Sequence, residues 1–481
     1  MRQEHRLRGV SQPDEDLAVG LAQAVEAIGA WQQTFGGFEV HPSVQVPAAN
    51  WRPALEEYLA KLTAPGEQYP FWQYPFFHPH YAGQMLKPPH PVATIGYLAA
   101  MLINPNNHAL DGGPATAQME KEVVADLATM FGLPTDGRVL GHLTSSGTIG
   151  NLEALWVARN EHPGKAIAVS RDAHYTHERM CAVLGMEAVL VDVDEQGRMD
   201  TGDLARAVDS HDIGTIVATI GTTGLGAIDP LARISAIARD ARIRVHVDAA
   251  YGGFFTLIAD DSHDGVPSEH FRAIAQADSV VVDPHKHGLQ PYGCGAVLFA
   301  DPSVGRHYRH DSPYTYFSSD ELHLGEISLE CSRAGAAAGA LWLTTKVFPL
   351  TPDGLGRVLR PCIRAARRMY DRLQDSPSWQ ALQAPELDIL GYCTRTDSAE
   401  AMDADSARVF TALAQADPEE QWHLATYSMK RSDLARRGIE VQGDADRVRI
   451  LRSVLMKPEH EFVVDDLVDV LEASGPPTVS S

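Results

Sequence analysis

Between about residue 85 and residue 305 the chain alternates two apolar patterns. Short runs rich in Val, Ile and Ala recur: AIAVS at 166–170, AVLVDVD at 188–194, TIVATIG at 215–221, IRVHVDAA at 243–250 and SVVVDP at 279–284. Such runs predict buried strands. Stretches such as DPLARISAIARDAR at 229–242 separate them with apolar residues at helical spacing. GRVLGHLTSS at 137–146 reads as a strand ending in a turn. GTIGNLEALWVARNEH at 147–162 follows as an amphipathic helix, with Leu152, Leu155 and Trp156 at helical spacing. Buried strands alternating with helices predict an α/β sandwich with a parallel sheet.

The flanks differ from this middle. Residues 1 to about 75 carry helical patterning in EDLAVGLAQAVEAIGAW and EEYLAKL, broken by Pro-rich joints. That predicts an arm that packs on the body or on a partner. RHYRHDSPYTYFSSDELHLG at 306–325 has no period and reads as a loop, while SRAGAAAGALWLTTKVF reads as a tightly packed helix. From about 350 a second, smaller α/β unit is expected. Its helices fall near 355–375, 403–416 and 460–473, and its strands near 420–428 and 447–455. The predicted division is an arm over 1–84, a large domain over 85–345, a small domain over 346–475 and a disordered tail over 476–481.

Bulk properties narrow the partners. A net charge of −23 argues against nucleic acid or an anionic membrane, which reward a basic face. No run is long and apolar enough to span a membrane, and the polar start lacks a signal-peptide core. Five cysteines without short paired spacings predict neither a disulfide framework nor a metal site, and a cytoplasmic setting.

Candidate chemistry collects at the predicted strand ends. In VVVDPHKHG, Lys286 follows a buried strand, with His285 before it and Asp283 three positions earlier. A desolvated lysine can attack an aldehyde, although it could also simply emerge into solvent. Asp248 ends the apolar run VHVD, where a carboxylate needs a cationic partner such as a pyridinium nitrogen, or else caps a helix. Ala249 and Ala250 leave room there for a flat ring. Ser145, Ser146, Gly147 and Thr148 lie between strand and helix, a place where backbone N–H groups cradle a phosphate or merely cap the helix. His174 follows AIAVS and could stack on an aromatic cofactor; Thr222 and Thr223 lie at another strand end. Open α/β sheets bind ligands at the C-terminal ends of their strands.

In this order the segments resemble the group II pyridoxal 5′-phosphate (PLP) dependent amino-acid decarboxylases of fold type I. The similarity runs from HPHYAGQM at 78–85 to RVRILRSVLMKP at 447–458. DPHK resembles the motif of the cofactor-bearing lysine, and HVDAAYGG that of the aspartate at the ring nitrogen. TSSGTIGN resembles the phosphate segment, HYTHERM the ring-stacking histidine segment, and GTT a cofactor-contacting turn. The resemblance implies a mostly parallel seven-stranded sheet with a smaller C-terminal α/β domain. It implies Lys286 as the Schiff-base lysine, Asp248 at the pyridine nitrogen and His174 over the ring. Ser145, Ser146, Gly147, Thr148, Thr222, Ala250, Asp283 and His285 would surround the cofactor. Gln84, His80 and Arg452 would meet the substrate, and Tyr316 or Tyr314 would reprotonate carbon. The implied reaction is decarboxylation of an L-amino acid through an external aldimine and a quinonoid, in a homodimer with interface sites. Fold type I also supports aminotransferases, carbon–carbon lyases and aldehyde synthases. A catalytically silent binding protein need not keep Lys286, Asp248 and His174, and a nucleotide-binding protein would show a Walker lysine or a GxGxxG fingerprint. The substrate stays open: Gln84 and Arg452 suit an acidic side chain, whereas Tyr314, Tyr316, Phe76 and Phe77 suit an aromatic one.

Overall fold

The computed structural model describes residues 15–37, 39–63, 74–134, 140–309 and 328–475. Its large sheet has seven strands: β1 (Leu140–Thr144), β2 (Ala166–Ser170), β3 (Ala188–Val191), β4 (Ile213–Thr219), β5 (Arg244–Asp248), β6 (Ser279–Val282) and β7 (Gly295–Phe299). They lie in the order β1-β7-β6-β5-β4-β2-β3. Five adjacent strands, β6-β5-β4-β2-β3, pair in parallel. β7 runs antiparallel to both β1 and β6. The five apolar runs became β2 to β6. Helices on both faces bury them, and this is why the runs show little polar alternation.

A second sheet of four strands follows in the chain, β8 (Trp379–Ala381), β9 (Ile389–Thr394), β10 (Ala425–Lys430) and β11 (Arg447–Val454), all antiparallel, in the order β10-β11-β9-β8. It has its own core around Trp379, Tyr392, Leu451 and Leu467. The structure corrects the reading of this half in three ways. β8 and β9 were not expected. The strand expected near 420–428 starts at Ala425, and the helix expected near 403–416 is Ala399–Ala414. β7 was also not anticipated: its apolar run GAVLF is short and follows a glycine-rich turn.

The arm forms α1 (Glu15–Gln33) and α2 (Ala48–Thr63). α1 lies against α3 (Pro91–Met101), which together with α4 (Pro114–Phe131) packs on the helix Gly335–Val347. The approach of α3 to that helix is close enough that a Cβ on Gly96 would stand 2.9 Å from the Ala340 Cα. α2 buries no residue. α5 (Gly147–Glu161) follows β1, and α6 (Thr176–Leu184) follows β2. α5 departs from the amphipathic expectation. It is enclosed on most sides, and even its Glu153 is buried, paired with His142 at 3.0 Å. No described helix is long and apolar enough to cross a membrane.

Candidate active site

The loops leaving β1, β2, β4, β5 and β6 line one cleft of about 240 Å³. Ser146, Gly147 and Thr148 enter it from the start of α5, His174 and Tyr175 from the turn before α6, and Asp248 and Ala250 from the end of β5. Asp283, His285 and Lys286 come from the turn after β6. Residues 147 and 286 are far apart in sequence. The sheet brings them together because β1, β2, β4, β5 and β6 all present their C-terminal ends to the same side.

Asp248 is 4% exposed and has both oxygens engaged. His177 Nε2 lies 2.8 Å from Oδ2, Asn151 donates its amide to Oδ2 at 3.3 Å, and the Ala250 N–H donates to Oδ1 at 3.1 Å. Burial alone would push this carboxyl up. The hydrogen bond from His177, joined by the nearby Lys286, outweighs burial and holds it below the usual carboxylate range. The network continues inward: Asn151 Oδ1 meets His246 Nε2 at 2.8 Å, and His246 Nδ1 meets Ser279 Oγ at 2.9 Å. Burial pushes His246 down to about 3.

Lys286 Nζ stands 3.0 Å from Asp283 Oδ2. His285 approaches the same carboxylate at 3.6 Å and is held through Nδ1 by the Cys294 carbonyl at 2.7 Å. The second oxygen of Asp283 is buried and has no protein partner. Two hydroxyls on the cleft wall, of Thr176 and Thr219, are in the same condition. These three residues line the cleft, each with a polar atom that no protein group satisfies. Gly147 packs directly on Asp283: a Cβ there would fall 2.7 Å from Oδ2. Ser146 caps α5, its hydroxyl accepting from the Ile149 N–H at 3.4 Å.

Other proposed residues take different places. Ser145 is exposed and its N–H donates to Glu330 at 2.9 Å. The Thr222 hydroxyl turns back into its own turn, accepting from the Ala227 N–H at 3.0 Å, and Thr223 lines the cleft instead. His174 is half-buried, and burial lowers its basicity, with Lys286 and His177 adding to that and Asp248 opposing it. His174, Tyr175 and Thr223 also border a second cleft of about 460 Å³, walled by Gln84, Tyr427, Arg437 and Arg452 among others. Arg452 is buried and its guanidinium donates to the carbonyls of Thr223, Gly224 and Gly83 at 2.7, 2.8 and 3.5 Å. His80 lines neither cleft; it stacks on Trp422 with ring centres 3.9 Å apart. Tyr314 and Tyr316 lie outside the described residues. Sequence reasoning missed His177, Asn151, Thr219 and Tyr427. A signal existed for His177, since HYTH places two histidines three apart at a helix start.

A family model described as the pyridoxal-dependent decarboxylase conserved domain matches residues 71–393. The chain is 29% identical over 391 residues to an L-tyrosine decarboxylase of Enterococcus faecium, covering 61% of this chain and 64% of that relative's length. It is 32% identical over 279 residues to a probable L-tyrosine/L-aspartate decarboxylase of Methanothrix thermoacetophila, covering 57% of this chain and 67% of the relative. Among solved structures it resembles mouse CSAD in apo form, with a TM-score of 0.73 at 21% identity over 96% of this chain and 98% of that one. Oryza sativa TDC, solved with PLP and tryptamine, gives a TM-score of 0.74 at 17% identity over the same shares of each chain.

Proposed function

The chain belongs to the pyridoxal-dependent decarboxylase family, and from that premise we propose that it converts an L-amino acid to the corresponding amine and CO2 in the cleft described above. The observation that carries this reading is the meeting of Lys286, Asp248 and the start of α5 around one cleft with orphaned polar atoms in its wall. These residues fit PLP. The first turn of α5 offers free N–H groups and the Ser146 and Thr148 hydroxyls to a phosphate. Lys286 offers an amine to an aldehyde, and Asp248 offers an anion to a protonated ring nitrogen. When bound, PLP supplies the electron sink that lets the α-carboxylate leave as CO2.

Each residue has a task that follows from its surroundings. Asp248 keeps its negative charge at the buried end of the cleft, which favours a protonated ring nitrogen beside it. Asp283 holds the Lys286 ammonium at 3.0 Å and can take up or return its proton. His174 stands between the two clefts, where an imidazole of lowered basicity can return a proton to carbon. Gln84, Tyr427 and Thr223 wall the second cleft and would receive the substrate side chain. Two copies of the chain pair through the arm: Trp51, Leu55, Tyr58, Leu59 and Leu62 of α2 are all exposed, an apolar face that a partner would cover. The five free cysteines support a reducing compartment such as the cytoplasm.

The test is a visible spectrum followed by an assay. With PLP the purified chain should show an absorbance band that borohydride bleaches. It should also release CO2 and amine from one member of an L-amino-acid panel that includes tyrosine and aspartate. Lys286→Ala should lose the bleachable band and at least about 10³-fold of the rate. Keto acid or aldehyde in place of amine would overturn the reaction, and a chain that never takes up PLP would overturn the cofactor.

A further inference from the structure

His177 lies in the HYTHERM segment, where His174 was the residue singled out, yet it is His177 that makes the shortest hydrogen bond to Asp248. It sits in the first turn of α6 with its side chain wholly buried. Its Nδ1 has no partner, and its Nε2 points at Asp248 Oδ2 over 2.8 Å. An unpaired buried N–H is much rarer than an unpaired acceptor, so the geometry favours the tautomer with hydrogen on Nε2, donating to the carboxylate. The other two donors to Asp248 are longer, at 3.1 and 3.3 Å. They come from α5 and from the chain just after β5, so three separate elements fix one carboxylate.

We propose that His177 is a positioning residue for the cofactor: its Nε2–H fixes the Asp248 carboxylate in the orientation, and in the ionised form, that the ring nitrogen requires. The inference rests on the cofactor reading above. The backbone donor on Oδ1 and the amide on Oδ2 are the longer contacts, so the imidazole at 2.8 Å is the tightest restraint on the carboxylate. With the imidazole on Oδ2 and the Ala250 N–H on Oδ1, both oxygens are pinned, and the remaining lone pairs keep one direction. His246 supports the arrangement at one remove, through Asn151.

The experiment titrates apo protein with PLP and follows the visible band across pH, for the wild type and for His177→Leu, His177→Gln and His177→Asn. Glutamine can set an N–H where Nε2 stands; asparagine is polar but falls short of Oδ2. The leucine and asparagine variants should bind PLP about ten- to a hundred-fold more weakly, the range expected for losing a hydrogen bond to a charged group. Their visible band should titrate at a different pH, and glutamine should restore both properties. Thermal melts of the apo forms identify a variant that fails to fold, in which case the asparagine and glutamine pair carries the test. If the asparagine variant matches the wild type in affinity and spectrum, the proposal is overturned while the cofactor reading stands. A wild type that stays colourless with PLP overturns the cofactor reading itself.

Discussion

Two carboxylates stand at the ends of adjacent strands and are treated in opposite ways. Asp248, the last residue of β5, has three donors on its two oxygens, with His246 and Ser279 in an ordered network behind Asn151. Asp283, just past β6, shares one oxygen between Lys286 and His285 and leaves the other buried and unmatched. The first is finished before any ligand arrives and behaves as a fixed charge. The second holds Lys286 through one oxygen and leaves the other without a protein donor. Pre-organised charge and available bonding capacity are separate requirements of a catalytic site, and here each falls to a different residue.

The comparison can be broken by substitution. Asp248→Asn should lower kcat by on the order of 10²–10³-fold, because it removes a pre-set charge. Asp283→Asn, which keeps the shape and an oxygen, should cost about ten-fold. Steady-state kinetics on the substrate found by the panel decide the matter, and a reversed order would refute the division of roles. Gly147→Ala probes the Asp283 side by volume alone. Alanine favours a helix over glycine by about 0.5–1 kcal/mol. Its Cβ would nevertheless press on Asp283 Oδ2 from 2.7 Å. The apo protein should therefore melt within a few degrees of the wild type while PLP affinity, read by absorbance titration, falls several-fold.

The smallest effect is a pH dependence of the apo protein. A carboxyl held low in the folded state stabilises that state at every pH above its ordinary value of 3.8, and the contribution fades as pH falls below it. Apo Asp248→Asn should thus be less stable than the wild type by about 1–3 kcal/mol at pH 7. The gap should narrow between pH 4 and pH 3 in denaturant titrations. A gap of constant size would mean that Asp248 contributes packing rather than charge.

Much of this arrangement was legible in the chain itself. β2 to β6 declare themselves as apolar runs because a sheet covered on both faces needs no polar alternation. Lys286 and Asp248 stand out because charged residues at the ends of such runs need a reason. The pairing of His177 with Asp248 could not be read, since 71 residues separate them and only the parallel register of β2, β4 and β5 sets α6 beside the end of β5. β8 and β9 were missed for a different reason. In an antiparallel sheet of short strands, Trp379–Ala381 offers three residues of pattern, too few to tell strand from turn. Thr222 and Thr223 show the limit at finer scale: the sequence puts hydroxyls at the turn, but backbone geometry decides which of two neighbours faces the cleft.

Arg452 ties together two parts of the molecule that the chain makes separately. It belongs to β11 of the smaller sheet, yet its guanidinium grips the carbonyls of Thr223 and Gly224 at the rim of the larger one and reaches toward Gly83 near the arm. Mechanically it is a rivet through three plates. A carboxylate entering the second cleft would compete with those carbonyls for the same N–H groups. To gain the guanidinium, such a ligand must loosen the rivet, so seating a ligand and letting the two sheets shift would become one motion with one free-energy cost.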